Sequence, residues 1–208
     1  MNCLASPACS LGAGRWIAAA VLFAVVSLAM AQAPQNVRIR GTITAISGDL
    51  LSLESRDGTN LKISMNEKTT VATARAIALA DLPKNEFVGV TAVKGADGVL
   101  GAREVHTIPK TANEGHTEWD LEPGASMTNA YIESNVQGNN GRELTMVYKG
   151  GSQRIRVPAG TPVVTTDPAD RSALAPGIYV FMAAQVAVDN TITALRIQAE
   201  RAGVKPPQ

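Results

Sequence analysis

Val37-Arg38-Ile39-Arg40-Gly41-Thr42-Ile43-Thr44-Ala45-Ile46 alternates apolar and polar residues and is rich in β-branched side chains. A period of two places one set of side chains on each face of a strand, so the stretch predicts a half-buried β-strand. Gly48-Asp49 turns it into Leu50-Leu51-Ser52-Leu53-Glu54, and Asp57-Gly58 marks a hairpin turn into Asn60-Leu61-Lys62-Ile63-Ser64-Met65. Gly and Asp tolerate the positive φ that a type I′ turn needs. An Ala-rich segment over residues 72–80 reads as one or two helical turns, followed by the breaker Asp81-Leu82-Pro83-Lys84. Residues 87–93 and 99–108 then form a second hairpin around Asp97-Gly98.

The same order returns later in the chain. A gapless shift of 92 residues aligns residues 63–105 with 155–197 and gives nine identities in 43 positions. Composition alone gives about three or four. The identities include Val71/Val163, Val88/Val180, Ala92/Ala184, Asp97/Asp189 and Ala102/Ala194. Phe87/Tyr179, Leu100/Ile192 and Val105/Ile197 keep the apolar pattern. The second unit has strands over residues 130–136, 144–148 and 154–157, with turns at Asn140-Gly141 and Gly150-Gly151. Residues 168–174 replace the Ala-rich segment, and 178–188 pairs with 191–198 around Asp189-Asn190.

Three meandering strands, a short bridge and a final hairpin bury one face best by closing into a small barrel. The expected fold is all-β: two tandem five- to six-stranded OB-like or SH3-like barrels joined by an ordered linker, after a cleaved signal peptide. The expected boundaries are 36–108 for the first unit, 109–126 for the linker, 127–200 for the second unit and 201–208 for a disordered tail. An open sandwich shared by the two units is the alternative.

Ahead of the first strand, Arg15 precedes an uncharged apolar run of 16 residues, 16–31, that ends in small residues. This is the layout of a secretory signal peptide. The run is short of the roughly 20 residues that span a bilayer. Ala29-Met30-Ala31 favours cleavage after Ala31. Cleavage after Ala33 also fits the small-residue rule but leaves Pro34 beside the scissile bond. Cys3 and Cys9, the only cysteines, leave with the signal, so the mature chain has no disulfide or thiolate. A periplasmic or otherwise exported location follows, with no membrane span after cleavage.

After residue 31 the chain carries 18 basic and 18 acidic side chains, which argues against nucleic acid as a partner. No Gly-x-Ser-x-Gly, Walker or dinucleotide motif is present. His106 reads as a partly exposed edge histidine. The linker, which lacks any period, reads as a loop, yet it holds Trp119 and Leu121. A solvated loop has no need of them, so they are expected to dock on the barrels and form a partner-binding surface. His116, Glu118 and Asp120 alternate, so an extended backbone projects them to one side. One imidazole and two carboxylates make a candidate divalent-metal site.

Gly115-His116-Thr117-Glu118-Trp119-Asp120-Leu121-Glu122-Pro123-Gly124, followed by Met127-Thr128-Asn129-Ala130, resembles a group of uncharacterised exported bacterial proteins with duplicated OB-like β-barrel domains. Relatives sometimes carry the label of metal ABC transporter permease. A permease needs several spanning helices, which this chain lacks after the signal. The resemblance implies no catalytic residues. The expected function is non-enzymatic: binding of a protein or cell-envelope component through barrel surfaces or the linker, with no cofactor. The alternatives are a divalent-metal-binding accessory protein, linked to metal transport, and a hydrolase with an unrecognised site.

Overall fold

The computed structural model describes residues 33–82, 85–138 and 141–207. They belong to one compact unit, Gln32–Gln208. The signal reading and its cleavage site at Ala31 lie outside the described residues, as do Pro83, Lys84 and Asn140 of the expected turns. The chain is all-β. In order it forms β1 (Gln35–Ser47), β2 (Leu50–Ser55), β3 (Asn60–Ser64), β4 (Thr70–Ala76), β5 (Phe87–Lys94), β6 (Leu100–Thr107) and β7 (Gly115–Glu118). There follow β8 (Ala125–Gly138), β9 (Gly141–Tyr148), β10 (Gly151–Val157), β11 (Val163–Ala169), β12 (Tyr179–Val186) and β13 (Ile192–Ala199). Two 3-10 turns, Leu79–Asp81 and Arg171–Ala173, are the only helical pieces among the described residues. No described helix is long and apolar enough to cross a membrane.

All 13 strands join one mixed sheet. Its pairing returns on itself in two places. One cycle runs β1-β2-β3-β13-β12 and back to β1. The other runs β8-β9-β10-β6-β5 and back to β8. A short parallel contact completes each: Ile192↔Ile63 and Thr193↔Ser64 in the first, Ile155↔Leu100 and Arg156↔Gly101 in the second.

The expectation of tandem barrels, each built from one contiguous repeat, is corrected by this pairing. The hairpin β5–β6 does not pair with β1–β3. It joins β8–β10, and the last hairpin of the chain, β12–β13, joins β1–β3. The cause lies in β4. It leaves the first three strands, runs beside β13 and pairs antiparallel with β11, which carries the following hairpin to the other core. The registers keep the 92-residue relation: Ile197↔Val71 answers Val105↔Val163, and Ala74 pairs with Thr166, its own counterpart.

Two apolar cores result. One gathers Ile43, Leu51, Leu53, Ile63, Val180, Met182 and Ile197. The other gathers Val88, Val90, Val105, Ile132, Leu144, Met146 and Ile155. The first draws on two separated stretches, residues 39–71 and 174–199, whereas the second is built from the stretch between them, residues 88–163.

Further expectations change. Residues 72–80 were expected to hold helical turns, but Val71, Ala72, Thr73 and Ala74 are buried in a strand flanked by β11 and β13. Ala fits where a strand is covered on both faces, and packing overrides its weak dislike of strands. The linker is not all loop: Gly115–Glu118 pairs with β8, and β8 begins at Ala125, inside the expected linker. At Asp57-Gly58 only Gly58 has positive φ, +83°, so the turn is not type I′. Gly58 N–H donates to Ser55 O (2.9 Å), Ser55 N–H to Thr59 O (2.9 Å) and Thr59 N–H to the Asp57 carboxylate (3.2 Å). The same three bonds recur around Asp97 and Asp189. The tail, expected to be disordered, carries an Arg201↔Val204 bridge, sets Lys205 4.8 Å from the Tyr179 ring centre, and buries Pro206 and Pro207.

Candidate functional site

Alternation along β1 sends Ile39 and Ile43 into the first core. Arg38 and Arg40 therefore stand on the opposite face. Arg40 lies opposite Phe181 of β12, and its guanidinium carbon is 5.0 Å from that ring centre. Its side chain is only 5% exposed. A buried charge needs a partner. The linker supplies it: Arg40 Nη2 donates to Asp120 Oδ1 at 2.8 Å, and Arg38 Nη1 is 3.6 Å from Asp120 Oδ2. Burial opposes ionisation of Asp120, but the Arg40 hydrogen bond and the charges of Arg40 and Arg38 outweigh it and hold the carboxyl below its ordinary value. Arg40 Nε is buried with no hydrogen-bond partner.

The rest of the linker is held by the same chemistry. Residues 119–124 reverse the chain between β7 and β8, with Trp119 N–H donating to Ala125 O (2.9 Å), Ala125 N–H to Glu122 O (3.0 Å), and Gly124 at φ +76°. Arg56, in the β2–β3 turn, donates to Leu121 O (2.7 Å) and Asp120 O (3.3 Å). Arg103 of β6 donates to Glu122 at 2.6 Å. Arginines from β1, the β2–β3 turn and β6 thus clamp one reversal. The reversal and Arg56 line a cleft of about 730 Å³.

The two residues expected to bind a partner are both in this reversal. Trp119 is half-buried, with the Arg38 guanidinium 3.9 Å from its ring centre. It also lines a cavity of about 170 Å³ with Met127, Phe181, Arg196, Gln198 and Pro207. Burial pulls the Arg196 guanidinium below its ordinary value. Leu121 is half-buried and lines the large cleft.

The metal candidates do not converge. His116 Nδ1 is 2.8 Å from Thr128 Oγ1 on β8, Glu118 is exposed at the end of β7, and Asp120 turns to the arginines. Alternation fails after Glu118, where the strand ends and the chain reverses. Among the described residues no group of three or more His, Cys, Asp or Glu side chains is placed to hold a metal ion.

His106 differs from its expectation too. It is buried because β6 is an interior strand, flanked by β5 and β11. Its Nδ1 lies 3.1 Å from the buried Glu104 carboxylate. Its ring covers Gly89, where a Cβ would come within 2.4 Å of His106 Nε2.

Arg38, Arg40 and Arg56 are the functional candidates that sequence reasoning missed. The signal was present as Arg38-Ile39-Arg40 in the opening strand: two like charges two residues apart share a face and need a counter-charge. Its location, 80 residues on at Asp120, is not readable from the strand. No family model, curated protein or solved structure matches the chain.

Proposed function

We propose that this chain is an exported, non-enzymatic binding protein that engages a protein or cell-envelope component through the cleft at the linker reversal. In this reading the two five-stranded cycles are OB-like barrels that have exchanged their last hairpins. The cyclic order first-second-third-fifth-fourth strand supports it, as does the resemblance to exported proteins with duplicated OB-like domains. Export rests on the signal-like N-terminus.

The observation that carries the proposal is the clamped reversal. Residues 119–124 are fixed by Arg40, Arg56 and Arg103, yet they wall an open cleft of about 730 Å³. A loop held rigid from several strands loses little entropy on binding, which favours recognition. Leu121 and Trp119 supply apolar and aromatic area beside charge, a composition common at interface centres.

Site-specific photo-cross-linking in cells tests this. A photoreactive residue in place of Leu121 is expected to give a discrete cross-linked product with an envelope component, reduced at least fivefold by Trp119→Ala. The same probe in place of the exposed Arg154, on the far strand β10, is expected to give none. Absence of a product at position 121, or one that Trp119→Ala leaves unchanged, overturns the proposal.

A further inference from the structure

The linker strand β7 adds itself to an edge of β8, pairing Glu118, Thr117, His116 and Gly115 with Ser126, Met127, Thr128 and Asn129. On their other side those β8 residues pair with β5. The matching stretch of the other cycle is Val37, Arg38, Ile39 and Arg40: Asn129 faces Gly89 as Arg40 faces Phe181, and Phe181 is 92 residues beyond Gly89. There β1 pairs with β12 on one side, and β2 joins the other side only from Gly41 onward. Among the described residues no strand pairs with that second edge at residues 37–40.

The open part of this edge is residues 37–39, because Arg40 O is already taken by the chain itself. Arg40 O accepts from Arg56 N–H at 2.8 Å, on the β2 side. Backbone groups alternate in direction along a strand, so Arg38 turns its N–H and C=O to that side as well. Such an edge is a template for another strand. A hollow of about 350 Å³ lies beside it, lined by Arg38, Ile39, Arg40, Arg56, Leu61 and Asp120, among others.

The charge in the hollow selects the occupant. Three guanidiniums line it with two carboxylates, Asp57 and Asp120. Asp57 is turned into its own hairpin, accepting from Ser55 Oγ and Thr59 N–H. Asp120 alone serves Arg38 and Arg40, and the buried Arg40 Nε is left without a partner.

We infer that the edge of β1 at residues 37–39 receives an extended acidic segment of a partner protein. The segment adds antiparallel to β1, as β7 adds to β8. In that register the position opposite Arg38 matches Thr117, while Arg56 of the chain itself takes the place opposite Arg40 that Gly115 holds opposite Asn129. The recognised pattern is therefore acid–apolar: a carboxylate opposite Arg38 meets the arginines, and the neighbouring side chain, opposite Ile39, turns toward Ile39 and Leu61. This inference rests on the reading of the chain as a binding protein and names a second surface for it, with its partner chemistry.

The test is fluorescence anisotropy with the full chain and a labelled Thr-Glu-Val-Glu-Val-Glu-Thr peptide at low salt. Saturable binding is expected. Backbone N-methylation of alternate peptide residues, which removes edge hydrogen bonds, is expected to weaken it at least tenfold. Arg38→Glu and the milder Arg38→Ala are expected to weaken it at least tenfold and threefold, with thermal melts confirming that each variant is folded. Arg154→Glu on β10 is expected to leave binding unchanged, and a peptide with Lys for Glu is expected not to bind. No saturable binding to the wild type overturns the inference, as does binding indifferent to N-methylation or to both Arg38 variants. A dimer of the chain that Arg38→Glu abolishes assigns the edge to a second copy and also overturns it. A cross-link at position 121 without peptide binding keeps the linker reading and rejects only this site; peptide binding without the cross-link does the reverse.

Discussion

Asp120 does for Arg40 what the rest of the fold does not: it neutralises a guanidinium that is 5% exposed. Its own side chain is 47% exposed, so solvent screens the pair and the contribution is modest. Because its folded-state pKa is depressed, the stabilisation is fully present above the unfolded value of about 3.9 and is lost as pH falls through the folded value. Asp120→Asn is therefore expected to cost about 1 kcal/mol at neutral pH. The gap to wild type is expected to close as pH drops below about 4. Chemical denaturation at a series of pH values checks both parts. A gap that persists at acid pH would show that the loss comes from hydrogen bonding or packing rather than charge. Asp57, Asp97 and Asp189 follow the same sign, since hydrogen bonds from their turns, joined at Asp97 by Arg156 of β10, hold each carboxyl below its ordinary value. All three are exposed, and their part is to set turn geometry. Sequence made these three turns legible, because Asp followed by Gly or Asn two residues before a β-branched or Thr residue is a local signal. It did not reveal Arg40 as a buried residue, because burial there depends on a loop far along the chain.

Strand positions were readable at the element scale, but strand partners were not. Period-two patterning located β1, β2, β3, β5, β6, β12 and β13 to within a few residues. β4, β7 and β11 were missed, the first two for opposite reasons. β4 is buried on both faces and so lacks alternation, while β7 is a short, exposed strand whose only support is β8. The β5–β6 hairpin has a tight point of its own. Gly89 pairs with His106, and a Cβ there would meet the imidazole at 2.4 Å. The ring is buried beside Glu104 and has little room to yield. Gly89→Ala is expected to destabilise by about 1–3 kcal/mol. That corresponds to a fall of about 2–4 °C in Tm per kcal/mol. His106→Ala in the same chain is expected to recover part of the loss, which a thermal double-mutant cycle measures. Full additivity of the two changes would contradict the contact. Gly89 itself carried no sequence signal, since its restriction comes from the residue opposite.

Across the whole molecule, the duplication hides its own pairing. Val88/Val180, Ala92/Ala184 and Ala102/Ala194 give the two final hairpins the same inward-facing residues, so either hairpin suits either core by pattern alone. The difference lies in β4 and β11, which pair with each other and carry each hairpin across. The exchange matters for both proposed surfaces. It places Phe181 beside Arg40, and it leaves the other edge of β1 without a strand partner at residues 37–40. The most direct test of this exchange uses engineered cysteines in a chain carrying Cys3→Ser and Cys9→Ser. Asn36 and Gln185 are cross-strand partners whose backbone groups point away from each other, so their Cα atoms lie at about the spacing a disulfide needs. Val93 is the repeat counterpart of Gln185 and would take its place if β1 paired with its own hairpin. Mild oxidation and non-reducing mass spectrometry should show an intramolecular bridge in Asn36→Cys/Gln185→Cys and free thiols in Asn36→Cys/Val93→Cys. A bridge between positions 36 and 93, with 36 and 185 left reduced, would contradict the exchanged fold and both sites built on it.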